Sequence, residues 1–176
     1  MKRPPDRRPS TPVRDHRRAL APLAAALLAL AGDALAHGDA SGIVRERMEA
    51  MEEIGDHAKA VGAMLKGKTE LEPAAVRAAA EVFVRHGRRI PALFPDTLES
   101  REGAATEALP AIWEEPERFA ALVARFVERG EALTAAAAAL ETDMTLDDTP
   151  ARVARTAFFR VADACRDCHR RYRLDD

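Results

Sequence analysis

The sequence predicts an all-α protein, an antiparallel four-helix bundle, and three observations carry that expectation. Apolar residues recur every three or four positions along four separate stretches instead of alternating. Proline opens three of those stretches, at Pro73, Pro116 and Pro150, where its missing N–H would have no helical partner anyway. Alanine is abundant while aromatics make up only 5% of the chain and glycines number 9. That mix suits helices with closely approaching backbones and argues against a sheet-rich fold. A chain of 176 residues allows one domain of ordinary size.

Residues 1–36 read as a signal peptide and 37–176 as the mature domain. Seven basic residues, Lys2 to Arg18, and four prolines precede an apolar run from Ala19 to Ala31 that only Pro22 interrupts. The run is too short to stand as a permanent membrane span. Ala34-Leu35-Ala36 matches a small-x-small cleavage pattern, which places the cut between Ala36 and His37. A retained N-terminal membrane anchor is the alternative. Export to the periplasm is expected, with no membrane association after cleavage. Removing the segment takes away 7 basic and 3 acidic residues of the chain's 27 and 29, leaving a net charge of −6. A nucleic-acid binder would show the opposite sign and a basic patch.

The mature chain divides into four helical stripes. Ser41 stands where an N-cap belongs, and Val44, Arg47, Met51, Ile54, Ala58, Val61 and Leu65 follow at heptad-like spacing. Arg47 is the exception on an otherwise apolar or small seam. A cation there is costly unless an anion meets it or its stem snorkels to solvent. Gly67 closes this helix. From Pro73 the second stripe reads Val76, Ala80, Phe83, Gly87 and Ile90, and Pro91 ends or kinks it. Asp96 to Leu109 shows no periodicity and is expected to be a surface connection across the bundle end. Trp113 then packs at that end for its area alone or against a cofactor edge. The third stripe is Phe119, Leu122, Phe126, Arg129, Leu133, Ala136 and Leu140. Asp143 to Asp148 is an acidic turn, Thr149 a cap, and the last stripe runs Ala154, Phe158, Val161, Cys165, Cys168 and Tyr172.

The chemistry sits on that last stripe. Cys165-Arg166-Asp167-Cys168-His169 is the attachment signature of a c-type haem. The two thiols add across the haem vinyl groups, and the adjacent imidazole binds the iron as proximal ligand. In a helix Cys165 has Cys168 three and His169 four residues on, near one face. Other uses of the same residues are weaker. A disulfide is open to an exported chain, a thioredoxin-like pair needs a strand before the helix, and zinc lacks an obvious fourth ligand. The expected cofactor is one haem c, covalent through Cys165 and Cys168 with His169 on the metal. A haem propionate would be a natural anion for Arg47.

With the motif on the fourth helix of a bundle, the sequence resembles the cytochrome c′ family. The resemblance spans roughly Gly42 to Arg173. It rests on Arg47-Met48-Glu49-Ala50-Met51 with Ile54-Gly55, on Leu93-Phe94-Pro95, and on Leu109-Pro110-Ala111-Ile112-Trp113 with Phe119. The haem motif with Tyr172-Arg173 completes it. It implies that Arg173 lies beside the proximal imidazole, that Arg47 lies near a propionate, and that Met51 faces the iron on the distal side. In some members that residue only blocks access, leaving five-coordinate iron; in close relatives a methionine is the sixth ligand. Met48 lies off the seam, almost a full turn from Met51.

The function expected is a periplasmic monohaem electron carrier that is not an enzyme. The alternative is a five-coordinate haem protein binding nitric oxide or carbon monoxide, for detoxification or sensing. An acidic surface would steer a basic redox partner protein toward it. The resemblance also implies a homodimer through the first two helices, whose faces carry Glu49, Glu52, Glu53 and Lys59.

Overall fold

The computed structural model describes residues 40–142 and 149–174. The expected signal peptide, its cleavage point and the acidic turn at 143–148 lie outside the described residues. Four long helices build the fold: α1 (Gly42–Leu65), α2 (Pro73–Arg89), α5 (Pro116–Thr142) and α6 (Thr149–Tyr172). Two short helices, α3 (Leu98–Glu102) and α4 (Ala111–Glu114), lie between α2 and α5.

Ser41 takes the N-cap position of α1 with extended backbone but makes no side-chain cap bond. Its carbonyl instead accepts from the Val44 and Arg45 amides, at 3.2 and 3.3 Å. Gly67, at φ +70°, provides the left-handed turn after α1. Pro73 occupies the first turn of α2, and His86, Arg88 and Arg89 sit in its last turn, where cations oppose the helix dipole. The chain then tightens into a 3-10 turn, Ile90–Leu93, because Pro91 has no N–H to continue the α ladder.

The expected stripes of α1 and α2 face inward, with Val44, Val61, Val76, Ala80 and Phe83 all essentially inaccessible. On α5 five of the seven expected positions are buried, Phe119, Phe126, Leu133, Ala136 and Leu140; at the other two the next residue is buried instead, Val123 and Gly130, while Leu122 and Arg129 are half-buried. Phe119, Val123, Phe126, Gly130, Leu133, Ala137 and Leu140 alternate steps of four and three, with Ala136 buried beside them. Arg129 instead leans to α6, where its Nη1 donates to the Arg160 carbonyl at 2.7 Å.

Two glycines set the closest approach. A Cβ on Gly87 would come within 2.8 Å of Val127 Cγ2, and one on Gly130 within 3.0 Å of Val84 Cγ2. Their bare backbones let α2 and α5 interlock around Phe83, whose ring meets Phe126 at 6.3 Å. A fully buried phenylalanine of this kind stabilises by about 2–3 kcal/mol. α5 packs extensively along both α2 and α6, whereas α1 lies against α2 and α6 much more sparsely.

The connection from Asp96 to Leu109 departs from expectation. It is not simply a surface crossing: Thr97 caps α3 by accepting from the Ser100 amide at 3.2 Å, and Ser100 is completely buried. A helix of five residues is too short to leave a periodic signal. The connection returns to the end of α6 through a two-stranded bridge, Ala108 opposite Arg173, with Leu109 N donating to Tyr172 O at 2.9 Å.

Candidate haem site

The last two turns of α6 carry the motif. Ala164 and Val161 anchor that part of the helix in the core, and Cys165 and Cys168 pack half-buried against it. Both are free thiols. Burial pushes each of them up to about 11, so as thiols they are neutral near pH 7. His169 is exposed. What burial its ring has, followed by the Arg173 charge, holds the imidazole below its usual value, and Glu107 acts the other way. Neutral imidazole is the form that ligates a metal.

Across the bundle, Met51 of α1 is half-buried and packs against the same core, as do Ala58 and Met64; Met48 is half-buried but takes no part in that packing. Arg47 is 6% exposed. Its Nε and Nη2 donate to Leu93 O at 3.2 and 3.1 Å, Nη2 also to Ser100 Oγ at 2.7 Å, and Nη1 to Thr106 Oγ1 at 2.9 Å. Its guanidinium carbon lies 4.1 Å from the centre of the Phe94 ring, a cation–π distance. Among the described residues its partners are carbonyls and hydroxyls, not a carboxylate. Burial lowers its pKa from the usual arginine value, and the dense set of acceptors offsets that cost.

The separated sequence pieces that looked alike to a known family converge at this end. Phe94 meets Phe119 edge-on at 5.3 Å, and Phe119 meets Tyr172 at 5.3 Å. Trp113 sits 6.4 Å from Phe94 and donates its Nε1 proton to Phe94 O and Pro95 O, both at 3.1 Å. Arg173 leaves α6 in an ion pair with Glu107 at 2.6 Å. Arg171 pairs with Glu115, which also accepts from Tyr172 OH at 3.4 Å.

Ser100, Thr106, Glu107 and Glu115 were not singled out by the sequence. Each acts on a residue more than 50 positions away, and no local spacing encodes such a pairing.

These residues fit a covalently held haem. Two free thiols three residues apart face the apolar interior with an imidazole beside them. α1 packs against α6 much more sparsely than α5 does. Among the described residues no three His, Cys, Asp or Glu side chains are grouped for a metal ion.

Residues 42–173 match the family described as Cytochrome C′. The chain is 29% identical to a cytochrome c′ of Rhodopseudomonas palustris over 88% of its own length and 94% of the relative's. It is 35% identical to a cytochrome c-556 of Agrobacterium fabrum over 77% of its length and 83% of that protein. Among solved structures, cytochrome c′ from Thermochromatium tepidum superposes with a TM-score of 0.64 at 27% identity, covering 78% of this chain and 99% of that one. A cytochrome c′ described as having ligand-controlled dimer dissociation gives 0.64 at 25% identity, over 76% and 95%. A nitric oxide complex of a mutant cytochrome c prime from Alcaligenes xylosoxidans gives 0.61 at 25%, over 76% and 94%. The chain belongs to the cytochrome c′ family, whose members bind one covalent haem c, and Cys165 and Cys168 are its only cysteines for holding it.

Proposed function

We propose that this protein is a periplasmic monohaem electron carrier in which His169 and Met51 would supply ligands to the haem iron. The observation that carries the reading is the placement of Met51. Its half-buried side chain packs against the same core that Cys165 and Cys168 pack against. When bound, the haem supplies the one-electron change at its iron. The chain's own residues then set the conditions of that change. Cys165 and Cys168 would fix the cofactor to α6, and His169 would offer its nitrogen to the iron. A Met51 thioether as a further ligand would favour a higher potential. Arg47, buried and held over the Phe94 face, contributes fixed positive charge. Arg173 contributes more at the proximal side, tempered by its pair with Glu107. No residue is asked to make or break a bond in a substrate.

Export is supported by the basic-then-apolar character of residues 1–31. No helix among the described residues is long and apolar enough to cross a membrane.

A second reading is a five-coordinate binder of nitric oxide or carbon monoxide, with Met51 as distal packing. The relative determined as a nitric oxide complex favours it. A homodimer fits either reading, and the relative with ligand-controlled dissociation supports one.

Absorption spectra of the ferric and dithionite-reduced holoprotein, with and without carbon monoxide, separate the two. The carrier reading expects low-spin iron with a thioether charge-transfer band that Met51→Ala abolishes. High-spin iron that shifts at once on adding carbon monoxide would replace it with the gas-binding reading.

A further inference from the structure

We propose that the groove between α5 and α6 docks an acidic face of a partner protein, beside the haem attachment residues. The inference rests on the electron-carrier reading for its purpose, and its physical basis is a local excess of positive charge. The groove encloses about 700 Å³, with Arg125 and Arg129 on the α5 wall and Arg152 and Arg160 on the α6 wall; Glu128 is the one carboxylate that lines it. Most other arginines of the described residues are neutralised: Arg77 by Glu141 at 2.9 Å, Arg85 by Glu53 at 2.7 Å, Arg88 by Glu131 at 2.8 Å. In the groove this is not so. Arg129 uses its Nη1 on a backbone carbonyl, and Arg125 comes no nearer to a carboxylate than 3.9 Å, at Asp167. Arg152 and Arg160 are exposed and reach no carboxylate among the described residues. Guanidinium groups left without acids present a fork that matches carboxylates.

The groove also offers apolar surface. Ala132 and Ala157 line it, and Val153 at its edge is 50% exposed. A docking face of this make-up takes apolar contacts inside and charged contacts at its rim. Its location suits electron exchange. Arg160 precedes Cys165 by five residues, about 7.5 Å along a helix axis. Arg125 also lines a second, smaller groove of about 350 Å³ with Asp167 and Arg170, which carries the surface to one of the two residues between the thiols.

A net charge of −6 for the chain beyond residue 36 suggests a basic partner, but that sum is not what a docking partner meets. Screening over about 8 Å at physiological salt makes nearby charge outweigh the whole-molecule total. Among the described residues the nearby charge at this face is positive, and it selects an acidic partner.

The test titrates ferric holoprotein with polyglutamate, followed by calorimetry at about 20 mM and about 200 mM salt, with vesicles of phosphatidylglycerol as a second titrant. Polyglutamate is expected to bind at low salt and weaken at high salt. A double variant, Arg152→Gln with Arg160→Gln, should lose roughly fivefold in affinity while keeping its Soret band and helicity. Lys59→Gln on α1 should bind as the unaltered protein does. Equal affinity in the double variant would overturn the proposal, as would binding to the vesicles but not to polyglutamate. Groove-dependent binding by a holoprotein whose dithionite-reduced form is not reoxidised by ferricyanide would sustain the docking face and remove the carrier reading. Normal exchange with groove-independent binding would do the reverse.

Discussion

α1 and α6 use arginine in opposite ways. On α1 the outward face is acidic, with Glu46, Glu49, Glu52, Glu53 and Asp56 against Arg45 and Lys59, and its third cation, Arg47, is turned inward. On α6 six arginines lie along one helix with two aspartates, and its interior carries the thiols instead of a charge. An inward arginine is a structural element, bound by several carbonyls and hydroxyls at once. An outward arginine with no acid beside it is a recognition element. A composition sum treats the two alike, which is why the chain's net charge says so little about either helix.

Three experiments break or sharpen this contrast, beginning with the largest effect. Replacing Cys168 by serine should leave at most one thioether and at least one haem vinyl group unreacted, so that the reduced pyridine haemochrome band of the variant moves to the red. A band at the position of the unaltered protein's would separate Cys168 from attachment. The next compares the two kinds of arginine. Arg47→Met leaves the Leu93 carbonyl and the Ser100 hydroxyl buried without their donor, and should cost about 2–4 kcal/mol in denaturant unfolding. Arg152→Met on α6 should stay within about 0.5 kcal/mol. Equal costs would erase the distinction.

The smallest effect concerns pH. Glu53 sits below its usual value of 4.5, first through its hydrogen bond from His86, at 2.6 Å. Glu115 is lowered by its bond from Arg171, and Asp96 by its bond from Arg101. Carboxyls with depressed pKa values favour the folded state above their unfolded pKa, and that contribution disappears as pH falls through the folded value. The denaturation midpoint should therefore decline modestly below about pH 4.5, and Glu53→Gln should reduce part of that decline. Glu53 and Asp96 are exposed and Glu115 is only half-buried, so each share is small.

Much of this molecule was legible before any coordinates. Pro73 and Pro116 mark the starts of α2 and α5 as expected, and Pro150 falls in the first turn of α6, because a proline at the head of a helix acts locally. The seams of α1, α2 and α6 follow from a periodicity that burial itself imposes. The haem motif is a contiguous string and reads without help. What stayed hidden depends on partners distant in sequence. Nothing near Ser100 announces that it will be buried under Arg47, which lies 53 residues earlier. The displacement of one of the two missed positions of the α5 stripe has the same origin: Gly130 looks like a weak core residue until Val84 of α2 is seen occupying the space a side chain would fill.

That pair of interlocking glycine contacts also divides the bundle by how readily it gives. Where α2 and α5 meet, backbones and side chains are in such close contact that neither helix can slide without a steric clash. α6 shares this rigid block through its long contact with α5. α1, joined to the rest more loosely, is then the compliant wall, and hydrogen exchange should find its amides opening before those of α2 and α5. A protein organised in this way can admit a large cofactor, or later a sixth ligand, by adjusting one helix while the other three keep their register.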